Sequence, residues 1–295
     1  MSPRFDVVVV GELNADVIVT GAWPEPGREL LAEAGLFTLG SSGAIFAADC
    51  VRLSLEVAFC GLVGRDALGA FVRGELERAG IATAGVRERD GVTTGLTVSI
   101  TGTGDRAMLT FAGAMAAFGA GELDWATIGA ARHLHVSSPY LQDALRPDLP
   151  AVLARARSLG LTTSLDPGWD PRESWLDVLR CLPHLDVFLP NESEAIAIAR
   201  VASAKEALER LAGPLVAIKL GERGALATGG VTAAARAEEP VDATGAGDGF
   251  DAAFVWAWLA GRPTSECLHV GCIAGARVVH ALGGTGGFPT AAELT

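Results

Sequence analysis

The sequence predicts an α/β fold: a doubly wound, mostly parallel sheet covered by helices on both faces, with a second, small β-sheet projecting from it. Two observations favour this fold class. Short runs rich in Val, Ile and Leu recur along the 295 residues and alternate with segments of helical periodicity, which is typical of a parallel sheet. Two further segments interrupt that rhythm and alternate apolar with polar residues, as strands with one buried face do.

The strands of the main sheet are predicted from continuous apolar runs. The first, at residues 5–10, ends in four valines followed by Gly11. A run of this kind indicates a strand that is buried on both faces. Similar runs predict strands at residues 57–60, 133–136, 161–165, 187–189 and 215–220. Between and after them, helices are predicted at residues 47–53, 67–79, 149–158, 193–200, 204–211 and 250–259.

The small sheet is predicted from residues 22–39 and 93–111. In the second segment, apolar and polar side chains alternate from position 96 to position 100, a Gly-rich turn follows, and the chain returns at positions 108–111. Such a hairpin is too small to be stable alone, so we expect it to pack on the rest of the chain. We expect a single domain, 1–295, whose small sheet comprises about residues 12–39 and 91–112.

Composition excludes several classes of protein. The formal net charge is −12, so the surface should repel phosphate backbones, and we expect no nucleic-acid partner. The five cysteines form no C-x-x-C pair, which favours buried, reduced thiols. No apolar stretch approaches the roughly 20 residues of a membrane span, and residues 1–10 lack a signal-peptide core. We therefore expect a cytoplasmic protein with no membrane partner.

The most informative stretch is V-D-A-T-G-A-G-D-G-F at residues 241–250. Gly245 and Gly247 permit a tight turn whose amide groups converge, and the apolar run that follows predicts a helix. A turn at a helix N-terminus attracts an anion. Asp248 in this turn would be either an N-cap or a general base that accepts a proton beside a bound phosphate.

This stretch resembles the signature of the ribokinase (PfkB-type) carbohydrate kinase family, D-T-T/A-G-A-G-D-x-F. Four other segments resemble motifs of that family and occur in the family's order: G-E-L-N-A-D at 11–16, G-L-V-G-R-D-A-L-G at 61–69, N-E-S-E at 191–194 and L-G-E-R-G at 220–224. The resemblance covers nearly the whole chain and implies a ribokinase-like fold, in which the small β-sheet forms a lid over the sugar site.

The resemblance implies an ATP-dependent phosphotransferase that moves the γ-phosphate of ATP to a hydroxyl of a small sugar or sugar derivative. Asp248 is implied to be the general base, and the amides of Gly245, Ala246 and Gly247 the anion hole. Mg²⁺ is implied near Glu194, through water. Glu194 also lies three residues after Asn191, so the pair is equally consistent with a helix capping box.

The resemblance also assigns nucleotide and cation sites. Residues implied to contact ATP are Asn191, Lys219, Gly221, Gly224, Thr244, Gly245, Gly247, Cys272 and Gly275. For Lys219, a solvated strand end is the alternative. A monovalent cation, with K⁺ as the expected ion, is implied at Asp242, Thr244, Val279, Leu282 and Gly284.

The substrate site is implied at Asn14, Asp16, Gly40, Ser41, Ser42, Ser137 and Asp248. This chain departs from the family pattern there. Ser41 replaces a glycine, Ile45 and Met115 replace asparagines, and Ser137 stands where ribose-specific members carry an acid. These changes point to an atypical substrate.

Two alternatives to a sugar kinase remain open. One is a nucleoside kinase of the same family, which the apolar Ile45 and Met115 would suit. The other is a catalytically weak, nucleotide-binding regulatory protein, although Asp248, Gly245 and Gly247 are all present. The uncovered edge of the lid hairpin also predicts a homodimer through the lid.

Overall fold

The fold is that of a computed structural model, which describes residues 3–102, 105–235, 244–280, 283–284 and 287–294. Its strands are β1 (Phe5–Val10), β2 (Asn14–Thr20), β3 (Ala34–Leu39), β4 (Val57–Gly64), β5 (Ala82–Arg89), β6 (Gly95–Gly102), β7 (Asp105–Phe111), β8 (Ala131–Ser137), β9 (Thr162–Asp166), β10 (Val187–Phe188), β11 (Leu215–Lys219), β12 (Ala225–Ala227) and β13 (Val231–Ala233). Its α-helices are α1 (Ser42–Arg52), α2 (Ala67–Arg78), α3 (Ala114–Ala117), α4 (Trp125–Ile128), α5 (Leu149–Ser158), α6 (Glu192–Ala199), α7 (Ala204–Arg210), α8 (Ala246–Leu259) and α9 (Thr264–Val278).

The main sheet has nine strands in the order β13-β12-β11-β10-β9-β8-β1-β4-β5. All neighbours from β11 to β5 pair parallel, and β12 and β13 continue the sheet antiparallel. The chain builds outward from β1 through β4 to β5, and then continues on the other side of β1 with β8. The order therefore reverses between β1 and β8, and a crevice at the carboxyl ends of such strands is where open α/β sheets bind ligands.

Helices cover both faces of the main sheet, because its central strands are apolar on both sides. Val7 and Val9 of β1 join a core cluster that includes residues of α1, α8 and α9. Val8 and Val10 of the same strand point the other way, into a second cluster with α5, α6 and α7. This is the doubly wound arrangement that the sequence predicts.

The small sheet has the strand order β3-β2-β6-β7 and is called the lid sheet here. Strands β2 and β6 pair parallel, and the two outer pairs are antiparallel. Its register places Asp16, Thr38, Thr97 and Thr110 in one row across the four strands. The next row, on the opposite face, is apolar: Phe37, Val17, Val98 and Leu109.

The predicted fold class is confirmed, and two helix starts differ from the predictions. Helix α1 begins at Ser42 rather than at residue 47, because the Ser41 side chain caps it by accepting a hydrogen bond from the Ala44 amide. Helix α8 begins at Ala246, with Gly245 as its N-cap. The alternative that Asp248 is an N-cap is therefore wrong, because Asp248 is the third residue of the helix.

Two further expectations can be compared with the structure. All five cysteines are buried and free, as predicted. Among the helices of the described residues, none is both long and apolar enough to cross a membrane.

Candidate active site

Two cavities meet at the N-terminus of α8. The smaller, of about 270 Å³, is called the small cavity, and its walls include Gly221, Gly224, Gly247, Cys272, Gly275 and Val279. The larger, of about 620 Å³, is called the large cavity, and its walls include Glu12, Asn14, Asp16, Ser42, Thr244 and Asp248. The first turn of α8 separates them, since Ala246 and Gly247 line the small cavity whereas Gly245 and Asp248 line the large one.

Asp248 is a half-buried carboxyl group at this boundary. Its Oδ1 accepts a hydrogen bond from the Ser42 hydroxyl at the start of α1. Burial, with a contribution from the nearby carboxylate of Asp166, raises the pKa of Asp248 to about 7. Ser42 and Lys219 act in the opposite direction and lower that pKa. The group can thus hold or release a proton close to neutral pH.

The glycine turn before Asp248 adopts a conformation that glycine favours. Gly245 has a φ of +80°, and a Cβ at this position would lie 2.6 Å from the Cα of Gly284. The segment at 283–284 thus packs directly against the turn. Because the first N–H groups of a helix have no partner within it, the amides of Ala246 and Gly247 are available to an anion at the boundary.

Lys219 is part of a buried ion-pair cluster, so the alternative that it is a solvated strand end is wrong. Its Nζ lies 3.1 Å from Asp166 Oδ2 and 2.9 Å from Asp251 Oδ2. Burial alone would lower the pKa of Lys219, but the two carboxylates raise it above its usual range. Lys219 also lines the small cavity, and its Nζ lies 3.5 Å from where a Cβ on Gly247 would be. It therefore carries a positive charge close to the glycine turn.

Asn191 and Glu194 form the capping box that their spacing predicts. The Asn191 amide donates to Glu194 Oε2 over 2.8 Å, and the Glu194 amide donates to Asn191 Oδ1 over 3.0 Å. Glu194 is buried, and burial, with the charge of Asp166, raises its pKa to about 7. Asp166, Glu194 and Asp248 thus concentrate acidic groups on one side of the helix terminus.

The walls of the small cavity include glycines at positions where a side chain would not fit, so a ligand there can lie close to the backbone. Gly221 and Gly224 have φ values of +60° and +92°, and a Cβ on Gly224 would collide with the Ala233 carbonyl oxygen. On the opposite wall, Cys272 and Gly275 belong to α9, and a Cβ on Gly275 would lie 2.9 Å from the Ala246 carbonyl oxygen. The fold thus brings these four residues, which the sequence implied to contact ATP, together in one cavity.

The lid sheet contributes a polar wall to the large cavity. The side-chain nitrogen of Asn14 donates to Asp16 Oδ1 over 2.6 Å and to Thr97 Oγ1 over 3.1 Å. Thr97 in turn lies within hydrogen-bonding distance of Thr110, at 3.1 Å. Gly40 must lack a side chain here, because a Cβ would collide with Asp16.

The remaining predicted substrate residues lie where β1, β8 and α1 meet, and they differ in exposure. Ser41 and Ser42 line the large cavity. Ser137 is fully buried and is not among the residues that line it. Its hydroxyl donates to Ser42 Oγ over 2.9 Å, so it reaches Asp248 only through Ser42.

Several residues of the large cavity were not predicted. Glu12 is buried at the end of β1, and its Oε1 accepts the Ser42 amide over 2.8 Å. Burial raises the pKa of Glu12 to about 8, and the charge of Asp248 adds to the effect. At the opposite end, Trp169 and the ion pair of Arg172 with Asp143 line the cavity. A glutamate after Gly11 is visible in the sequence, but its burial depends on contacts between distant segments.

The departures from the family pattern also separate in space. Ile45 lines the large cavity. Met115 is fully buried and lies so close to Gly95 that a Cβ on that glycine would collide with it. Met115 is not among the residues that line either cavity.

Of the residues implied for a monovalent cation, Thr244, Val279 and Gly284 are described, whereas Asp242 and Leu282 lie outside the described residues.

The two buried histidines of β8 are structural. His133 and His135 both contact the Ser164 hydroxyl, at 2.7 and 2.8 Å, and burial lowers the pKa of each to about 3. Over the described ranges, no three His, Cys, Asp or Glu side chains form a group that could hold a metal ion by themselves.

Comparison with known proteins gives a family match and similar relatives. Residues 4–291 match the family described as pfkB family carbohydrate kinase. The ATP-dependent ribose-1-phosphate kinase of Halopiger xanaduensis is 31% identical over 280 residues, which span 92% of this chain and 90% of the relative.

Solved structures share the fold at lower identity. A putative ribokinase II from E. coli, in complex with ATP and Mg²⁺, superposes with a TM-score of 0.86 at 21% identity over 100% of this chain and 98% of its own. Adenosine kinase from Sinorhizobium meliloti has a TM-score of 0.83 at 22% identity, over 95% of each chain.

Proposed function

This chain belongs to the pfkB family of carbohydrate kinases, and we propose that it transfers the γ-phosphate of ATP to a hydroxyl of a small sugar or sugar derivative. One observation carries the proposal. Asp248, with a pKa near 7, lies at the first turn of α8, where the small cavity and the large cavity meet. A phosphoryl donor in one cavity and an alcohol in the other would thus meet beside a base.

The reaction assigns a role to each part of the boundary. The acceptor hydroxyl oxygen attacks the γ-phosphorus, the bond to the bridging oxygen breaks, and ADP leaves. The hydroxyl proton passes to the carboxylate of Asp248. The amides of Gly245, Ala246 and Gly247 donate to the charge that develops on the transferred phosphoryl group.

ATP is assigned to the small cavity. Gly221 and Gly224 allow the chain to approach it closely, and Cys272 and Gly275 supply an apolar wall for the base. Lys219 lies at the phosphate end and is held by Asp166 and Asp251, so it acts as a fixed positive charge.

The acidic groups fit Mg²⁺. The charge of Asp166 raises the pKa of both Glu194 and Asp248, and the charge of Asp248 adds to the rise at Glu194. This indicates an excess of negative charge that a divalent cation would offset. Mg²⁺ in kinases uses one or two carboxylates together with phosphate oxygens and water. Glu194 is assigned to hold it through water, and Asn191 orients Glu194 through the capping box. When bound, Mg²⁺ neutralises charge on the phosphates.

A monovalent cation is assigned beside the glycine turn. Thr244 precedes the turn, and the backbone of Gly284 packs against Gly245 with its carbonyl oxygen 2.7 Å from where a Cβ on Gly245 would be. Backbone carbonyls suit K⁺. Higher turnover in K⁺ than in Na⁺ or in tetramethylammonium at equal ionic strength is expected, and equal turnover in all three would contradict the assignment.

The acceptor is assigned to the large cavity. Asn14 and Asp16 on the lid sheet offer an amide and a carboxylate to sugar hydroxyls, opposite Asp248. Gly40 leaves room for this pair. Ser41 and Ser42 also line the cavity.

A nucleoside is a second candidate for the acceptor, and Trp169 favours it. Trp169 is 52% exposed and lines the large cavity. Its ring packs nearly perpendicular to the ring of Trp175, with the two ring centroids 5.0 Å apart. A planar base could stack on such a face. Ile45 adds an apolar side chain to the wall of the same cavity.

A homodimer through the lid sheet is also proposed. Phe37 and Leu109, at the two ends of the apolar row, are 47% and 78% exposed. Exposed apolar side chains at both ends of the row favour an interface, and a two-fold dimer is the commonest way to cover them with a second copy of the chain.

A panel of acceptors tests the activity. Pentoses, hexoses, sugar acids, pentose 1-phosphates and nucleosides are each incubated with MgATP and K⁺, and ADP release is compared with the rate in ATP alone. At least one acceptor is expected to raise ADP release and to yield a phosphorylated product by mass spectrometry. If no acceptor does so while calorimetry shows that ATP binds, the chain is a nucleotide-binding protein without kinase activity.

A further inference from the structure

We propose that Ser42 and Ser137 are positioning residues for Asp248, joined to it by a chain of hydroxyl hydrogen bonds that fixes Oδ1 and leaves Oδ2 for the acceptor. The inference rests on the proposed function, because it assigns a task to the base of that reaction. It changes the role of both serines, whose sequence context implied direct contact with substrate.

The hydrogen bonds between the two hydroxyls and the carboxylate all donate in the direction of Asp248. A serine hydroxyl has one proton to donate. Ser42 donates its proton to Asp248 Oδ1, so its lone pairs are free to accept, and Ser137 donates to it over 2.9 Å. Each hydroxyl therefore polarises the next toward the carboxylate.

Both serines are held by elements that the rest of the fold fixes. Ser137 ends β8 and is fully buried. Ser42 is the first residue of α1, and its amide donates to Glu12 Oε1 over 2.8 Å. Ser41 ties the same turn to β1 by donating to the Glu12 carbonyl oxygen over 2.5 Å. The hydroxyl of Ser42 thus has little freedom to leave Asp248.

Fixing Oδ1 has a chemical consequence. A carboxylate that rotates freely would offer either oxygen to the acceptor, whereas a carboxylate held at Oδ1 presents Oδ2 in one orientation. The hydrogen bond also stabilises the ionised form of Asp248, the form that can accept a proton. Ser42 thereby opposes the effect of burial on this carboxyl group.

Other titratable groups also face Asp248 and remain unchanged in the serine variants. The acids are Glu12 after β1, Asp16 on β2, Asp49 on α1, Asp166 at the end of β9 and Glu194 on α6, and the cationic group is Lys219 at the end of β11. A change in the pKa of Asp248 that appears only when a serine hydroxyl is removed therefore reports the loss of the hydroxyl hydrogen bonds.

The test measures the pKa of Asp248 directly, by ¹³C carboxyl NMR in the apoprotein, with Asp248→Asn used to assign the signal. In Ser42→Ala the pKa is expected to rise by about one pH unit, as loss of a hydrogen bond to a charged group implies. Ser137→Ala is expected to produce a smaller rise. Ser99→Ala removes a buried serine hydroxyl that has no hydrogen-bond partner among the described residues, and it should leave the pKa unchanged.

Turnover supplies the second readout. In Ser42→Ala, kcat is expected to fall about tenfold at pH 7 while KM for ATP is unchanged, because the positioned base acts in the chemical step. An Asp248 pKa in folded Ser42→Ala equal to that of the parent would overturn the proposal, whatever the turnover. Absence of acceptor-dependent turnover in the parent would instead contradict the proposed function, and the NMR titration would still test the hydroxyl chain.

Discussion

At the scale of single residues, the site depends on how the surroundings of Asp248 set its pKa. A general base works best when its pKa lies near the pH at which it operates. An exposed aspartate would be ionised at pH 7 but too weak a base to take a proton from an alcohol. Burial and Asp166 raise the pKa of Asp248 to about 7, and Ser42 and Lys219 limit the rise.

This pKa predicts the pH dependence of the reaction. Asp248 must be deprotonated to act, and its pKa is raised, so activity is lost as pH falls through about 7. The value of kcat/KM for the acceptor, measured at saturating MgATP between pH 5 and 9, should decrease about tenfold per pH unit on the acidic side. A profile that is flat down to pH 5 would contradict the role of Asp248.

Gly40 provides a test of the acceptor site. A Cβ here would collide with Asp16 and lie 2.5 Å from Asn14 Nδ2, so Gly40→Ala must displace the pair assigned to sugar hydroxyls. We expect KM for the acceptor to rise about tenfold, the equivalent of one lost hydrogen bond, with KM for ATP unchanged. Gly74→Ala is the matched control, because a Cβ there meets nothing within 4 Å. An unchanged acceptor KM in folded Gly40→Ala would contradict the assignment.

At the scale of elements, α1 carries an unusual buried acid. Asp49 is fully buried, and neither carboxyl oxygen has a hydrogen-bond partner among the described residues. Burial raises its pKa well above the ordinary value, and the nearby Arg52 only partly opposes this. The folded protein therefore retains a proton on Asp49 that the unfolded chain releases above about pH 4. Its contribution to the free energy of unfolding consequently falls as pH rises.

Asp49→Asn removes this pH-dependent cost while keeping the shape of the side chain. We expect the variant to have a higher melting temperature than the parent, with a difference that grows between pH 5 and pH 8. Differential scanning calorimetry at several pH values measures it. The other acids of raised pKa are present in both proteins, so the difference isolates Asp49. A variant less stable than the parent at every pH would show that the ionised carboxylate has a stabilising partner.

The elements also show which features a sequence can predict. The glycine turn and Asp248 are contiguous, so their spacing alone indicates an anion site at a helix start. The start of α1 depends on the cap at Ser41, which the apolar pattern does not reveal. The burial of Lys219 depends on its ion pairs with Asp166 and Asp251, which are distant in the sequence. That burial could therefore not be predicted from the apolar strand before Lys219. Trp169 reaches the large cavity only through the folded course of its loop.

At the scale of the whole molecule, the two faces of the lid sheet differ in chemistry. Asp16, Thr97 and Thr110 of its polar row line the large cavity, whereas the apolar row of Phe37, Val17, Val98 and Leu109 lies on the other face, where the dimer is proposed. If the second copy covers this face, Leu109→Asp buries a charge in the interface and should convert the dimer to a monomer.

Light scattering coupled to size-exclusion chromatography measures this change. Leu109 is 78% exposed within one chain, so the substitution should not unfold the protomer. Leu159→Asp is the control. Leu159 is also exposed, at 51%, but it lies at the C-terminus of α5, which packs on the main sheet and is not part of the lid sheet. A parent protein that is monomeric at all concentrations, or a Leu109→Asp variant that remains dimeric, would contradict the interface.

The most direct test of the account is the turnover of Asp248→Asn with the acceptor identified from the panel. The amide keeps the shape of the side chain but cannot take the proton, so kcat should fall by about 10²–10⁴-fold while the affinity for ATP is unchanged. Asp49→Asn, a buried substitution of the same kind outside both cavities, should retain the parent's kcat. If folded Asp248→Asn kept more than about a tenth of the parent's kcat, Asp248 would not be the general base.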